Sequence, residues 1–320
     1  MNTNPLVSIL IPIYNVEKYL GKCLDSVFSQ TYKNVEYVFV DDCSTDNSET
    51  VLMSKLHEYN IKEESYSIMV HKNNCGIAKT RINLLAKAKG DYVLFIDSDD
   101  WIEKNMVMEL VETAVLYNLD IVGCNFVWEY ANGETKLNYD NFSDSCRENM
   151  IKILNFQISP VLWKLLLRRK LFGLFDINPD INVGEDYIIS VKLFYFATSF
   201  KFIDKHLYHY VQVNKTRLSS QIKRCINDHI NAVKEVESFL LQENAVTDEI
   251  NNQLRLRKFN IKSNFLTNRY LDYEQYHTCF PESNGMWRQI DYSRRQKMKF
   301  WLADHKLYFV LNLFMRKKND

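Results

Sequence analysis

Apolar positions in the first 130 residues recur with two alternating periods. Short runs rich in β-branched and aromatic residues stand at 7–13, 35–40, 66–70, 92–96 and 119–127, and they read as strands. Between them, 17–29, 47–58, 77–88 and 103–116 carry apolar residues at helical spacing. In the first of these Tyr19, Leu20, Cys23, Leu24, Val27 and Phe28 fall on one face. Strand–helix alternation at this pitch predicts right-handed βαβ units and a mainly parallel sheet with helices on both faces.

From about residue 128 the pattern changes. Asn132-Gly133 signals a turn, helical patterns are predicted at 147–156 and 161–171, and Gly184-Glu185-Asp186 opens a helix over 187–197. Strand-like runs at 200–204 and 207–213 follow, and the chain reads as helical beyond 220. A soft boundary near 215–225 separates an α/β domain, 1–220, from a helical C-terminal region, 221–320. At roughly 150 residues per domain, 320 residues suit this division.

Composition narrows the class. With 46% apolar and 25% charged residues, and only 8 Gly and 5 Pro, the chain suits a globular core and excludes collagen-like or linker-dominated chains. Formal charge is zero but unevenly spread: residues 221–320 carry 17 basic and 12 acidic residues, which leaves 23 and 28 for 1–220. The seven cysteines show no zinc or C-x-x-C spacing and read as reduced thiols of a cytoplasmic protein. Met1 to Leu20 lacks a signal peptide's basic start, and no stretch reaches the about 18 apolar residues that a membrane span needs.

The chemistry gathers at strand ends. Strand 35–40 runs into Asp41-Asp42-Cys43-Ser44-Thr45-Asp46, strand 92–96 into Asp97-Ser98-Asp99-Asp100-Trp101, and strand 7–13 into Tyr14-Asn15. In an open α/β sheet these carboxyl ends converge on the ligand crevice. If the chain stays extended, Asp97 and Asp99 share a side, and two carboxylates there call for a hard cation such as Mg²⁺ or Mn²⁺. A nucleoside diphosphate would complete such a cation's shell, with Arg81 as a fixed positive charge nearby. Each cluster taken alone also fits a capping loop, with Asp99 or Asp100 capping helix 103–116. Arg81 alone also fits a surface ion pair.

From about residue 6 to 215 the chain resembles the family 2 inverting glycosyltransferases of the GT-A fold, of the bacterial surface-polysaccharide type. The resemblance rests on Val7-Ser-Ile-Leu-Ile-Pro-Ile-Tyr-Asn15, Cys23-Leu-Asp-Ser-Val-Phe-Ser-Gln-Thr31 and Val40-Asp-Asp-Cys-Ser-Thr-Asp-Asn-Ser48. It extends through Asn74-Cys-Gly-Ile77 with Arg81, Gly90-Asp-Tyr-Val-Leu-Phe-Ile-Asp-Ser-Asp-Asp-Trp101 and Gly184-Glu-Asp-Tyr187. It implies that Pro12, Tyr14 and Asp42 contact the nucleoside and that Arg81 sits near the diphosphate. It further implies that Asp97 and Asp99 form the metal-binding DxD element, and that Asp186 is the base that deprotonates the acceptor hydroxyl. Read locally, Asp186 also fits a partner for the helix dipole. The implied reaction moves a sugar from a nucleotide-sugar donor, a UDP-sugar, to a glycan or lipid-linked glycan, with Mn²⁺ or Mg²⁺ as cofactor.

Two departures stand out. Ile82-Asn83-Leu84 follows Arg81 where the family has Asn and a nearby Gly, and Leu162-Trp-Lys-Leu-Leu166 replaces the family's W-N-K-L-Y. Trp163 therefore fits either a sugar-stacking platform or a core position. A haloacid dehalogenase-type phosphatase with Asp97 as nucleophile is the rival reading, although its Asp-x-Asp follows the first strand and not the fourth. A non-catalytic glycan- or membrane-binding homologue is the third.

Residues 284–320 hold nine Lys/Arg against Asp291, Asp304 and Asp320, interleaved with Trp287, Phe300, Trp301, Phe309 and Phe314. Such a segment fits an anionic membrane surface on the inner face of the cell membrane. It fits equally a helix docked on the catalytic domain or on a second copy in a homodimer. No recognition motif for nucleic acid accompanies the charge.

Overall fold

The computed structural model describes residues 4–212, 222–267 and 271–316. Val213, residues 215–221 of the expected boundary, and Lys317, Lys318 and Asp320 of the basic tail lie outside the described residues. The chain divides into two compact units: Met1–Ile153 with Gln157–Ser220, and Leu154–Phe156 with Gln221–Asp320.

The first unit is built on a nine-stranded sheet. Its strands are β1 (Val7–Ile13), β2 (Val35–Asp41), β3 (Tyr66–Val70), β4 (Tyr92–Phe95), β5 (Trp101–Ile102), β6 (Ile121–Tyr130), β7 (Thr135–Leu137), β8 (Leu165–Arg168) and β9 (Phe200–Gln212). They run in the order β3-β2-β1-β4-β8-β6-β9-β5, with β7 paired to β6. The first four are parallel, which turns their carboxyl ends to one edge. Beyond β4 the sheet is mixed: β8 enters antiparallel to both β4 and β6, while β6 and β9 are parallel.

Six helices accompany the sheet: α1 (Glu17–Phe28), α2 (Ser48–Glu58), α3 (Ile77–Lys87), α4 (Met106–Tyr117), α5 (Cys146–Leu154) and α6 (Glu185–Phe196). The alternation of β1 sends Val7, Ile9, Ile11 and Ile13 into one core with Leu20, Leu24 and Val27 of α1, Leu52 of α2 and Leu110 of α4. Helix α3 packs on β1 and β2.

Two sequence expectations change. The helix expected over 161–171 is β8 followed by a 3₁₀ turn at Arg169–Gly173. Leu166 and Leu167 pair on both sides and Leu165 with Gly123 of β6, all three are buried, and a strand buried on both faces loses the alternation that marks strands. The runs at 200–204 and 207–213 are one strand, β9, interrupted where Cys124 pairs Ile203 and Asn125 pairs His206. A bulge there absorbs Asp204 and Lys205.

The described residues of the second unit are helical from 222 onward: α7 (Ile222–Gln242), α8 (Asp248–Ser263), α9 (Tyr273–Thr278), α10 (Arg294–Asp304) and α11 (Tyr308–Arg316). Phe259, Leu266, Tyr276, Trp287, Phe300 and Leu311 form its core. Thr247 caps α8, and Ser293 with Gln296 makes a capping box at α10.

Candidate active site

The loops after β1, β2 and β4 meet at the edge of the parallel sheet. Asn15, in the left-handed region (φ 51°) that Asn tolerates, donates its N–H to Ser44 Oγ (3.0 Å) and accepts from Thr45 N–H (2.8 Å). Asp41 Oδ1 accepts from the Ser44 N–H (2.9 Å), and Asp46 accepts from the N–H groups of Glu17 and Ser48. These two acids of the 41–46 cluster therefore hold the loop together.

Asp42 has other partners. Its N–H extends the ladder to Ile13 O (2.8 Å), and its carboxylate accepts from Cys75 N–H (2.7 Å) and Gly76 N–H (2.8 Å). His71 Nδ1 stands 2.7 Å from Asp42 Oδ1, and Asn83 Nδ2 stands 2.7 Å from His71 Nε2. Asp42 is 4% exposed, and three of the about four acceptor positions of its carboxylate are thus taken by its own chain. Among the described residues, Asp42, His71 and Cys75 form a group whose ligand-type atoms lie within 4.8 Å of one another. The backbone donors already on Asp42 offset the cost of burying that carboxylate. Pro12 is buried on β1 and Tyr14 is exposed beside this loop.

The second acidic segment is not extended. Asp100 N–H closes a turn onto Asp97 O (3.0 Å), so the premise that Asp97 and Asp99 share a side through an extended chain is replaced by a turn. Asp97 and Asp99 are half-buried, whereas Asp100 is buried and accepts from Tyr208 Oη (2.8 Å) and Val211 N–H (2.9 Å). Asp100 therefore ties the turn to β9 and caps no helix; α4 begins after Asn105. The Tyr208 hydroxyl also accepts from Asp97 N–H (3.2 Å). Burial, then the charges of Asp100 and Asp97, push the Tyr208 hydroxyl well above its ordinary range.

Arg81 joins this turn to α6. The residue is 2% exposed, and its guanidinium faces three carboxylates: Asp186 Oδ1 at 3.1 Å, Glu185 Oε1 at 3.6 Å and Asp97 Oδ1 at 3.7 Å. Phe95 lies under it at 5.1 Å. Among the described residues no partner stands in hydrogen-bonding geometry to Arg81 Nη1 or Asp186 Oδ1. One cation against three acids leaves the cluster net negative. Burial pushes the Asp186 carboxyl above the usual carboxylate range, opposed by Arg81 and helped by Asp97. Glu185 rises as well, through burial and then the charge of Asp186.

Backbone geometry fixes that cluster. Gly76 (φ 85°) precedes α3, and a Cβ there would stand 2.1 Å from Asn182 Oδ1. Asn182 Oδ1 accepts from Ala78 N–H (3.1 Å), which ties the start of α3, and so Arg81, to the loop that leads into α6. Gly184 (φ 94°) turns that loop into the helix carrying Glu185 and Asp186.

The structure thus brings Arg81, Asp97 and Asp186 together, with Asp99 on the Asp97 turn, and places Asp42 in a separate cradle of donors. Sequence reasoning missed His71, Asn182, Tyr208 and the part played by Glu185. The end of β3 and the Asn-Val-Gly-Glu-Asp junction were the available signals for the first two. Trp163 belongs to the core: it is buried, stacks on Tyr208 (4.2 Å between centroids) and meets Phe126 edge-on (4.8 Å). Beside it Lys164, also buried, pairs with Asp140.

Residues 8–182 match the family model for glycosyl transferase family 2, and the chain belongs to that family. It is a glycosyltransferase, and the rival phosphatase reading falls with that membership. The putative glycosyltransferase EpsH of Bacillus subtilis is 28% identical over 258 residues, 78% of this chain and 73% of EpsH. Among solved structures, S. aureus TarS 1–349 in complex with UDP-GlcNAc aligns with a TM-score of 0.72 at 21% identity, over 97% of this chain and 91% of that one. The mannosyltransferase PcManGT of Pyrobaculum calidifontis, in complex with GDP-Man and Mn²⁺, aligns with a TM-score of 0.53 at 14% identity, over 98% and 81%. These two likenesses establish the fold, a GT-A-like mixed sheet flanked by helices.

Proposed function

We propose that this glycosyltransferase moves a sugar from a UDP-sugar to a hydroxyl of a glycan or lipid-linked glycan in bacterial surface-polysaccharide synthesis, inverting the anomeric centre. The observation that carries the reading is the shared guanidinium: Arg81 faces both Asp97, from the turn after β4, and Asp186, from the start of α6. Donor-side and acceptor-side carboxylates are thereby held in one cluster.

Asp186 is the base. Its Oδ1 has no hydrogen-bond partner in the described residues, and its raised affinity for a proton suits it to take one from an attacking hydroxyl. As the acceptor oxygen bonds to the anomeric carbon, the bond from that carbon to the diphosphate breaks and the hydroxyl proton passes to Asp186. Attack from the face opposite the leaving group inverts the centre.

Asp97 and Asp99 fit a hard divalent cation: both are half-buried carboxylates on one turn, and such ions bind one or two carboxylates plus phosphate oxygens. Bound there, Mn²⁺ or Mg²⁺ would offset charge on the departing diphosphate. On the donor side, Tyr14 and Pro12 would line the nucleoside pocket. The one remaining acceptor position of Asp42 is available to the imide of uracil. The nucleotide-sugar complexes of TarS and PcManGT support a nucleotide-sugar donor.

The test is turnover. Purified protein is screened against UDP-sugars with Mn²⁺ for UDP release in the presence of glycan acceptors, and the anomeric configuration of the product is read by NMR. The reading expects an inverted product and loss of turnover in Asp186→Asn. A retained configuration, or an active Asp186→Asn variant, would contradict it.

A further inference from the structure

We propose that the outward face of α10 and α11 is a docking surface for an anionic lipid bilayer. The inner side of α11 is satisfied by its own unit: Leu311 is fully buried, and Asn312 accepts from the Tyr273 hydroxyl (2.6 Å). The outer side is also apolar. Phe309 is 78% and Leu313 51% exposed, with Val310 and Leu307 exposed beside them. At about 100° per residue, Phe309, Val310 and Leu313 fall within one arc of α11, and Lys306, exposed in the turn before the helix, adds a cation close by in the chain.

The preceding helix, packed against α11, carries an exposed stripe of its own. Arg294, Met298, Trp301 and His305 are all exposed and follow i, i+4, i+7 and i+11 spacing, which makes a single stripe of one cation with apolar and aromatic side chains. Between Ser293 and Phe314 the chain carries Arg294, Arg295, Lys297, Lys299 and Lys306 against one acid, Asp304. That acid is committed inward, accepting from Tyr276 Oη (2.8 Å), Trp287 Nε1 (2.8 Å) and Gly285 N–H (3.2 Å). The face therefore offers cations and large apolar groups without an exposed carboxylate among the residues from Ser293 to Phe314.

Charge selects the occupant. A second copy paired through this face across a two-fold axis would bring the same cations against these. A bilayer with anionic headgroups accommodates both features, with apolar side chains at the acyl boundary and ammonium and guanidinium groups at the phosphates. No helix among the described residues is long and apolar enough to cross a membrane, so contact along the surface is the mode that fits. The proposal stands independently of the sugar-transfer reading, to which it would bring a lipid-borne acceptor.

The test is sedimentation of the full chain with vesicles of phosphatidylcholine alone and of phosphatidylcholine mixed with phosphatidylglycerol. Binding is expected to the mixed vesicles only and to weaken with salt. A Phe309→Ser/Leu313→Ser variant is expected to lose at least about ten-fold in partitioning. Arg294→Glu/Lys306→Glu, which alters exposed side chains alone, is expected to lose about five-fold or more for each cation removed. Equal sedimentation with both vesicle types, or none with either, would overturn the proposal. So would a dimer in light scattering that Phe309→Ser/Leu313→Ser converts to monomer, because the face would then belong to a second copy.

Discussion

Arg81 Nη2 stands 3.1 Å from Asp186 Oδ1, beneath a cluster that also includes Asp97 and Glu185. Removing this cation strands the buried Glu185 and the half-buried Asp97 and Asp186. Arg81→Ala is expected to cost about 3–5 kcal/mol in urea unfolding. Arg81→Lys keeps the charge but loses the planar fork that reaches several acids at once. It is expected to fold and to lose about a hundred-fold in turnover, with the KM for the donor changed far less.

With Asp186 as the proposed base, its raised pKa would set the acid limb of activity. The base works deprotonated, so kcat/KM is expected to fall as pH drops through a midpoint above the about 3.9 of an ordinary aspartate. A pH–rate profile checks this, and Asp186→Asn is expected to lose about 10²–10⁴-fold.

Glu185 links the same cluster to stability. Its folded-state pKa is raised, so the folded chain holds a proton that the unfolded chain has released once pH passes the ordinary glutamate value. The folded state therefore loses stability as pH climbs from there through the raised value. Glu185→Gln does not titrate, and its urea midpoint is expected to gain on that of the native chain between about pH 5 and about pH 8.

Gly76 and Asn182 occupy the same space. Gly76→Ala places a Cβ 2.1 Å from Asn182 Oδ1 at a left-handed φ, which forces the two loops apart. A destabilisation of about 1–3 kcal/mol is expected, together with a fall in kcat, because Asn182 ties the helix of Arg81 to the loop before Asp186.

Trp163 separates a core role from a sugar platform. Stacked on Tyr208 and buried, it is expected to cost about 3–5 kcal/mol as Trp163→Ala. An unchanged thermal midpoint with a raised acceptor KM would instead mean that it binds sugar.

Local pattern made the parallel half of the sheet legible. Leu20, Cys23, Leu24, Val27 and Phe28 are the buried face of α1 that their spacing announces. Periodicity failed where burial is two-sided, at Leu165–Arg168, because such a strand has no polar face to alternate with. The acids at the ends of β2 and β4 were visible as motifs, since strand ends in a parallel sheet share an edge. The partners of Arg81 were not visible, because Asp186 is brought to α3 by a loop about a hundred residues further along the chain, through the Asn182–Ala78 bond. His71 escaped notice for a like reason: a histidine at the end of β3 has no spacing signature, and only the packing of β2 beside β3 sets it on Asp42.

The donor site is tested most directly by calorimetric titration of UDP and of GDP into the purified chain, with and without Mn²⁺. The account predicts UDP binding that requires the metal and disappears in Asp99→Ala. Absence of nucleotide binding in a demonstrably folded sample would contradict it.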